Sequence, residues 1–551
     1  MQYAADFETT TIEPVKVWAW GITPIDNSEV FYHGGTVESF MEFIETLDKP
    51  KIYFHNAGFD CEYIISYLLN KGYTWIEDRK LLMANCFTTL ISDLNQFYCM
   101  EIKMHTGKVV KFVDSLKLIP FKIEKMAKDF GLEMQKGEID YNRHNNDEPI
   151  TEEELDYLKR DVFILKQCLQ IMFEHNLHKM TLGSNALKQF KDFYTKNQYK
   201  TFFPTPSMDE DRVWRKAYKG GFTYVSDKYQ GKDIGEGIVL DVNSLYPSVM
   251  YYCKMPYGEA IHGKGKYKKE QEHDLFIQEL WCEFELKPNK IPTIQLKGTL
   301  AFVPTEYLKS SNTERCHLYL TSVDMGLFFE HYHVYNVEFV QYWAWKSSDK
   351  LFRKYIDYWM EIKINATKEG NKALRTIAKL MLNNLYGKFA TNPICAQRKP
   401  YLKDGIVKYE TLEQEERTPL YIPVGAFVTA WARYKTISSA QKVYSRFIYA
   451  DTDSLHLIGT DIPKGLEIDD VKLGAWKLEA KFEKARFLRQ KCYIEQIEGK
   501  LKVTVAGLPD EGKKEVTWEN FQPEAEYSGK LQKRHVVGGI LLKETTYKIR
   551  I

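Results

Sequence analysis

The chain has 551 residues and a hydrophobic content of 44%, which is enough for several domains with sizeable cores. Its 76 basic and 75 acidic residues leave a net charge of +1, which excludes a uniformly basic nucleic-acid-binding protein, so that any such groove must be local. Nine scattered cysteines without a CxxC pair, and no visible signal peptide or membrane-length apolar run, favour a soluble protein of a reducing compartment with no membrane partner.

The N-terminal segments predict strands and a helix that carry acidic side chains. Asp6 and Glu8 lie two apart in the strand YAADFETTT, so their side chains share one face, which would equally suit an exposed strand. The segment KIYFHNAGFDCEYIISYL predicts a strand, a polar turn at Asn56 and a helix that begins at Asp60. Because an Asp at a helix start is usually a cap, these residues alone leave its role open.

A second acidic helix follows. Thr151 and Glu154 have the spacing of a capping box, which predicts a helix start just before YLKRD. Tyr157 and Asp161, four residues apart, then share one helix face. Together with the three earlier acids they suit two-metal hydrolysis of a phosphodiester, in which carboxylates bind the metals and the phenol orients the attacking water.

The middle of the chain predicts an acidic strand end and a basic helix. In GIVLDVNSLYPSVM a short apolar strand ends at Asp241, which is either a helix cap or a metal ligand. The segment NKALRTIAKLMLNNLYGKFA predicts a helix over 371–390 that Gly387 ends or bends. One face of this helix is basic and polar, and suits either solvent or a nucleoside triphosphate; it consists of Arg375, Lys379, Asn383 and Tyr386.

Two hairpins complete the pattern. Asp404-Gly405 between β-prone flanks is a strong signal for a two-residue turn. YADTDSLHL, residues 449–457, predicts a second hairpin with Asp451 and Asp453 at its tip, although an isolated DxD is commonly a solvated turn. If Asp241 and Asp453 share a sheet, their repulsion favours a cation between them, and the hard oxygen ligands suit Mg²⁺ on both sides of a transferring phosphoryl group.

These segments, in this order and over almost the whole chain, resemble protein-primed family B DNA polymerases. DxxSLYP (241–247), KxxxNxxYG (379–387) and YxDTDS (449–454) are similar to the three polymerase motifs of that family. YKGG (218–221), TAWAR (429–433) and KCY (491–493) resemble its linker motif, its Tx₂(G/A)R motif and the KxY motif that holds the primer end. DxE, NxxxD and YxxxD are similar to its three 3′–5′ exonuclease motifs.

The resemblance implies one set of residues for exonuclease chemistry. Its metal ligands would be Asp6, Glu8, Asp60 and Asp161, with Tyr157 and Lys136 as further catalytic groups. Whether Glu138, commonly Asp in the family, also binds metal is left open. The implied contacts to single-stranded DNA, where Phe59 suits stacking on a frayed base, are Thr9, Asn56, Phe59, Ser115 and Leu116.

The resemblance implies a second set for polymerisation. Asp241, the Val242 carbonyl and Asp453 would bind Mg²⁺, with Mn²⁺ as an expected substitute and Asp451 as an auxiliary catalytic group. In the nucleotide site, cations neutralise the triphosphate, Tyr246 excludes a ribose 2′-hydroxyl and Tyr386 packs on the nascent pair. The remaining nucleotide contacts are Lys363, Arg375, Lys379 and Asn383. The implied DNA contacts are Tyr218, Gly220, Gly221, Thr429, Arg433, Lys491 and Tyr493.

The implied fold is a multidomain α+β fold, with a ribonuclease-H-like 3′–5′ exonuclease domain ahead of a family B palm, fingers and thumb with two insertions. The expected boundaries are 1–181 for the exonuclease, 182–252 and 424–507 for the palm, 253–349 and 391–423 for the insertions, 350–390 for the fingers and 508–551 for the thumb.

The implied function is template-directed DNA polymerisation with 3′–5′ proofreading, protein-primed, processive and strand-displacing, on a linear phage-type genome in the host cytoplasm. The expected partners are primer-template DNA, dNTPs and a terminal protein, which forms a heterodimer by docking on the first insertion; the chain is otherwise expected to be a monomer. Two rivals are a nuclease with a decayed polymerase half and a non-catalytic replication scaffold. Intact Asp241, Lys379, Asp453 and Lys491 disfavour the first, and a scaffold would not need both carboxylate sets.

Overall fold

The N-terminal 181 residues form one mixed sheet with helices on both faces. The computed structural model of the chain describes residues 1–146, 148–268, 272–295 and 305–551. The strands are β1 (Gln2–Thr9), β2 (Val17–Pro24), β3 (Tyr32–Gly34), β4 (Lys51–Phe54), β5 (Thr74–Trp75), β6 (Cys86–Ile91), β7 (Phe97–Lys103) and β8 (Val109–Asp114). The helices are α1 (Val37–Thr46), α2 (Asp60–Asn70), α3 (Ile123–Asp129) and α4 (Glu152–Glu174).

The order of this sheet is β3-β2-β1-β4-β8-β7-β6-β5. Successive β1 side chains enter different cores, because Ala4 packs with α3 and α4 whereas Tyr3 and Ala5 pack with α1 and α2. The predicted strand–turn–helix around Asp60 and the capping box at Thr151 are both confirmed.

The next segment, 182–252, begins with helices and ends on the strand that carries Asp241. Its elements are α5 (Leu182–Asp192), α6 (Lys196–Phe202), α7 (Met208–Trp214), β9 (Thr223–Val225), β10 (Asp233–Ile234), β11 (Gly237–Val242) and α8 (Leu245–Tyr252). Helix α5 packs on the second helix of the predicted fingers, Lys372–Phe389, rather than on the strands of the palm.

The predicted first insertion, 253–349, is a β-rich unit. Its sheet has the order β12-β17-β13-β16, and β14 pairs with β15. Residues 269–271 and 296–304 of this insertion lie outside the described residues. The elements are β12 (Met255–Lys264), β13 (Leu275–Leu286), β14 (Ile294–Gln295), β15 (Tyr307–Leu308), β16 (Cys316–Thr321), α9 (Ser322–His331) and β17 (Tyr332–Ser348).

Two antiparallel helices and a protruding hairpin follow. They are α10 (Arg353–Lys368), α11 (Lys372–Phe389), β18 (Ile394–Cys395), β19 (Arg398–Lys403), β20 (Ile406–Thr411) and β21 (Glu415–Glu416). Gly387 is predicted to end or bend helix α11, and the first alternative is wrong. The helix continues to Phe389, whose ring is fully buried. The predicted Asp404-Gly405 turn is confirmed, with positive φ at both residues.

The C-terminal part adds strands to the sheet that contains β11, the strand of Asp241. Its elements are α12 (Ile422–Lys442), β22 (Phe447–Asp451), β23 (Ser454–Ile458), β24 (Trp476–Phe482), β25 (Lys484–Arg489), β26 (Cys492–Ile497), β27 (Lys500–Val505), α13 (Asp510–Glu515), β28 (Glu526–Val536) and β29 (Gly539–Lys548). The central sheet has the order β24-β11-β23-β22-β9, and a second sheet has the order β10-β25-β26-β27. Helix α12 begins two residues before the expected palm boundary, with Pro423 in its first turn.

Two hydrophobic cores contain residues from segments that are far apart in the sequence, and so hold those segments together. The largest core runs from α3 and α4 through the central sheet to α10, α11 and α12. A second core fills the other face of the N-terminal sheet and includes Val407 of the protruding hairpin, with Val536 and Ile540 of the C-terminal hairpin. In the ranges described, no helix has the length and apolarity that crossing a membrane requires.

Candidate active sites

The central sheet brings Asp241 and Asp453 together, as their predicted pairing requires. Strand β11 pairs with β23 so that Asp241 lies opposite Ser454, the neighbour of Asp453. The Val242 N–H donates to the Asp453 carbonyl at 2.8 Å, and the tip between the strands turns at Thr452, where φ is +59°. The 212-residue separation along the chain is therefore closed by one strand pair.

The electrostatics of this pair fit a divalent cation. Burial, followed by Asp453 and Glu479, raises the pKa of Asp241 to about 7. Burial also raises the pKa of Asp453, and Asp451 and Glu479 add to the shift. A metal between the two carboxylates would stabilise their charged forms. Sequence reasoning missed Glu479, because only the pairing of β24 with β11 brings it near Asp241.

Asp451 is held by polar side chains. Its carboxylate accepts hydrogen bonds from Thr223 Oγ1 at 3.1 Å and Tyr449 Oη at 3.2 Å, and lies 3.6 Å from Lys491 Nζ. Tyr449 Oη in turn accepts from the Lys491 N–H at 3.0 Å. Asp451 and Tyr449 therefore position the exposed Lys491, which lines the same cleft as Tyr493.

The predicted nucleotide contacts face this pair from the helices. Lys363 on α10 donates to Ser244 Oγ at 3.4 Å, and burial, Lys379 and Arg375 lower its pKa. The rings of Tyr246 and Tyr386 stack with centroids 4.0 Å apart and planes at 25°. Asn383, which lies on helix α11 with Tyr386, is half-buried.

The second acidic cluster lies on three elements of the N-terminal unit. Asp6 and Glu8 come from β1 and Asp161 from α4, while Asp60 in the first turn of α2 accepts from the Phe7 N–H at 3.3 Å. Burial, followed by Asp161, raises the pKa of Asp6 to about 7. Burial also raises the pKa of Glu8 and of Asp60 well above their usual values, and Asp6 adds to both shifts.

A lysine and a tyrosine flank this cluster. Lys136 Nζ lies 2.5 Å from Asp161 Oδ2 and 5.0 Å from the centroid of the Tyr157 ring. The other carboxylate oxygen, Asp161 Oδ1, is buried without a hydrogen-bond partner, as suits a ligand of a cation. Across the described ranges no three His, Cys, Asp or Glu side chains are grouped closely enough to hold a metal ion, so the acids converge without forming a complete ligand cage. Glu138 is exposed.

Comparisons with known proteins agree with this geometry. The family described as DNA polymerase type B, organellar and viral, matches residues 44–470. The chain belongs to this family. It is similar to the DNA polymerase of Bacillus phage phi29, with 42% identity over 100% of this chain and 99% of the relative. Structures of phi29 DNA polymerase with primer-template DNA, and with primer-template DNA and incoming nucleotide, are each matched with a TM-score of 0.93 at 41% identity over 100% of both chains.

The chain is thus a DNA-directed DNA polymerase of the phi29 type. The predicted fold class is confirmed: an exonuclease-like N-terminal domain precedes a family B palm, fingers and thumb with two insertions. The first 43 residues, including Asp6 and Glu8, precede the matched range of the family but are covered by the similarity to the phi29 polymerase.

In this type B polymerase, three of the predicted DNA contacts are buried and bond to other parts of the protein. Ser115 is 0% exposed and its hydroxyl donates to the Phe54 carbonyl at 2.9 Å. Thr429 is 1% exposed and its hydroxyl bonds within helix α12. Arg433 is 2% exposed and pairs with Asp324 at 2.7 Å.

Arg433 positions the linker motif instead. It donates to the carbonyls of Lys219 and Gly220, both at 2.8 Å, while Asp324 of the first insertion fixes its other edge. A Cβ on Gly221 would lie 2.6 Å from Thr452 Oγ1, so this glycine is needed for packing on the hairpin of β22 and β23. Gly220 is exposed with open space around its Cα, and half-buried Tyr218 precedes it.

Asp114, which sequence reasoning missed, organises the predicted single-strand contacts. This buried carboxylate accepts from the N–H groups of Asn56 at 3.0 Å, Ala57 at 3.2 Å and Leu116 at 3.0 Å. Asn56 is exposed, whereas Thr9, Phe59 and Leu116 are half-buried. An Asp that ends a strand carries no distinctive motif, which is why the sequence did not reveal this role.

Removing the repulsion at Asp241 should stabilise the metal-free protein. The raised folded-state pKa means that the cost of charging Asp241 is fully present above pH 7 and shrinks as the pH falls. We expect Asp241→Asn to raise the melting temperature in chelator at pH 8 by about 1–3 °C, and by less at pH 5.5. Asp404→Asn, at an exposed turn that Asn tolerates, is the control and should cause no shift. A lower melting temperature for Asp241→Asn at pH 8 would contradict the repulsion.

Proposed function

We propose that this polymerase extends DNA at the palm and removes 3′-terminal nucleotides at a separate N-terminal site, both with Mg²⁺. The observation that carries the proposal is the presence of two carboxylate clusters, one half-buried on the palm sheet and one largely buried on β1, α2 and α4. Buried acids that repel one another are costly, so each cluster has a functional reason to persist.

In extension, Asp241, Asp453 and the Val242 carbonyl would hold Mg²⁺, which supplies charge stabilisation at the reacting phosphate. The primer 3′-hydroxyl gives up its proton to solvent and its oxygen forms a bond to the α-phosphorus, while the bond from that phosphorus to the bridging oxygen breaks, so pyrophosphate leaves with the electron pair. Lys379, which lies close enough to oppose the pKa shifts of both acids, neutralises charge that develops on the phosphates.

In hydrolysis, Asp6, Glu8, Asp60 and Asp161 would hold Mg²⁺ around the terminal phosphodiester. The orphaned Asp161 Oδ1 supports this assignment. Tyr157 Oη, which is 2.7 Å from Tyr141 Oη, orients the attacking water, and Lys136 holds Asp161 in place. Water adds to the phosphorus and the bond to the neighbouring 3′-oxygen breaks, which releases a nucleotide and a new 3′-hydroxyl.

The two activities should separate by mutation. Because the clusters use different acids, Asp6→Ala with Glu8→Ala should reduce degradation of single-stranded DNA by about a thousandfold or more and spare extension. Asp453→Ala should do the reverse. Labelled primers with and without dNTPs measure both activities on the same preparations. Loss of both activities from either variant, in protein with the wild-type circular dichroism spectrum, would refute separate sites.

Sugar selection is proposed for Tyr246. Its ring stacks on Tyr386 and is held against the palm, so bulk at this position restricts the sugar pocket. We expect Tyr246→Val to raise the ratio of ribonucleotide to deoxyribonucleotide kcat/KM by about tenfold or more. Tyr246→Phe is the matched control and should keep discrimination, since it keeps the ring. Equal ratios for wild type and Tyr246→Val would reject a steric gate.

The hairpin of the second insertion is proposed to support processive, strand-displacing synthesis. Its strand β20 packs on the N-terminal domain, where Tyr409 Oη donates to Glu62 at 2.6 Å. Its tip reaches the thumb, where Ile406 forms a bridge with Val537. A closed ring around the duplex would keep the enzyme on its template, and a narrow channel ahead of it would admit only one strand.

Excising the hairpin should test this role. Cys395 and Glu415 are paired across its base, so a short linker between their neighbours should leave the palm folded. Gap filling of a few nucleotides should persist, while products on a primed circle should shorten by about tenfold or more because the tether is lost. The loss should worsen with salt, as phosphate contacts are screened. Unaided copying of the circle many times over by the excised enzyme would contradict the proposal.

Priming by a terminal protein and action in the host cytoplasm complete the proposed function. Protein priming is supported by the similarity of this chain, over its full length, to the phi29 polymerase. The first insertion, whose four-stranded sheet stands apart from the catalytic sheet, is the proposed docking site for the terminal protein.

A further inference from the structure

A cleft of about 310 Å³ lies beside the turn that follows Asp241. One wall comes from the fingers, with Lys363 and Arg375. The other wall comes from the palm, with Asn243, Ser244 and the loop that leads into β24. Lys477, the second residue of β24, completes the lining from the palm side. No polymerase motif recognised in the sequence includes Lys477.

Sheet register places Lys477 next to the proposed metal site. In the antiparallel pair of β11 and β24, Lys477 lies directly opposite Asp241. Side chains opposite one another in such a pair project from the same face of the sheet, with Cβ atoms about 5 Å apart. Lys477 is exposed and lines the cleft together with Lys363 and Arg375, and it lies close enough to Lys363 to help lower the pKa of that lysine.

The loop before Lys477 is fixed to the strand that carries Asp241. Asn243 Nδ2 donates to the carbonyl of Asp469 at 2.8 Å, and the N–H of Gly474 donates to the carbonyl of Asn243 at 2.9 Å. The Asp469 carboxylate also accepts from the N–H of Lys472 at 2.7 Å. These bonds fix the backbone of the loop that leads into Lys477, so the side chain of this lysine projects from a defined position.

The cleft has an excess of positive charge. Among the described residues, no carboxylate lies within 4.0 Å of the cationic groups of Lys363, Arg375 or Lys477. Asp470 is the acidic residue in the lining. Like charges that face one another in this way are unfavourable until an anion with several charges enters. The size of the cleft and its position beside Asp241 suit the phosphates that follow the α-phosphate of a nucleotide.

We propose that Lys477 binds the terminal phosphates of the incoming nucleotide and the pyrophosphate released from it. This proposal rests on the proposed polymerase function and adds a palm residue to the cations of the fingers. The same contact serves the reverse reaction. There a pyrophosphate oxygen attacks the terminal phosphorus of the primer, the bond to the preceding 3′-oxygen breaks, that oxygen takes up a proton, and a dNTP forms.

Steady-state kinetics of Lys477→Ala test the proposal in both directions. Losing one charge-assisted contact should raise the KM for dNTP in extension, and the KM for pyrophosphate in the reverse reaction, each by about tenfold. The fall in kcat should be smaller than either rise. Lys477→Arg should restore most of the affinity. Lys481→Ala is the matched control, since Lys481 is an exposed lysine of the same strand that lies opposite Ile238, outside the cleft.

Three results would overturn the role of Lys477. They are unchanged KM values in Lys477→Ala, an equal rise in Lys481→Ala that points to general charge loss, and a fall in kcat alone that points to a disturbed Asp241. Absence of extension by the wild-type enzyme would instead refute the proposed function. Melting temperatures of the variants, measured alongside, verify that each one is folded.

Discussion

The polymerase depends on carboxylates that are brought together where they repel one another. Asp241 and Asp453 meet because β11 and β23 pair, and the pKa of Asp241 rises to about 7 as a result of burial and of its acidic neighbours. A protein can keep such a pair only if the surrounding sheet imposes the geometry and a cation relieves the repulsion during function. The N-terminal cluster follows the same rule with different elements, since Asp6, Asp60 and Asp161 converge from a strand and two helices.

The buried helix α12 supports this arrangement from behind. Thr436 Oγ1 donates to the Thr452 carbonyl at 2.6 Å, which holds the tip of the hairpin of β22 and β23. Arg433 connects the linker carbonyls with Asp324 of the first insertion, and Gly221 lets that linker pack on Thr452. Arg433 is a motif residue that the family pattern suggested would touch DNA. Here it holds the backbone of the linker at Lys219 and Gly220, and through the linker it supports the tip at Thr452.

Sequence reasoning predicted most elements that carry the sites, because their signals are local. The Asp404-Gly405 turn, the capping box at Thr151 and the strand that carries Asp241 each depend on residues within a few positions. Burial and register are not local, which explains the errors and omissions. Ser115 and Arg433 are polar residues that tertiary packing buries, and no local pattern in the sequence reveals that burial. Glu479 and Lys477 gain their neighbours only from the register between β11 and β24.

If the two carboxylate clusters are separate metal sites of one polymerase, as proposed above, each of them should hold its own cation when its substrate is bound. The most direct measurement is anomalous diffraction from crystals grown with Mn²⁺, primer-template DNA and a non-hydrolysable dNTP, with a single-stranded oligonucleotide in a second crystal. We expect anomalous peaks between Asp241 and Asp453 in the first crystal, and beside Asp6 and Asp161 in the second. Peaks absent from both positions, with the substrates bound, would contradict it.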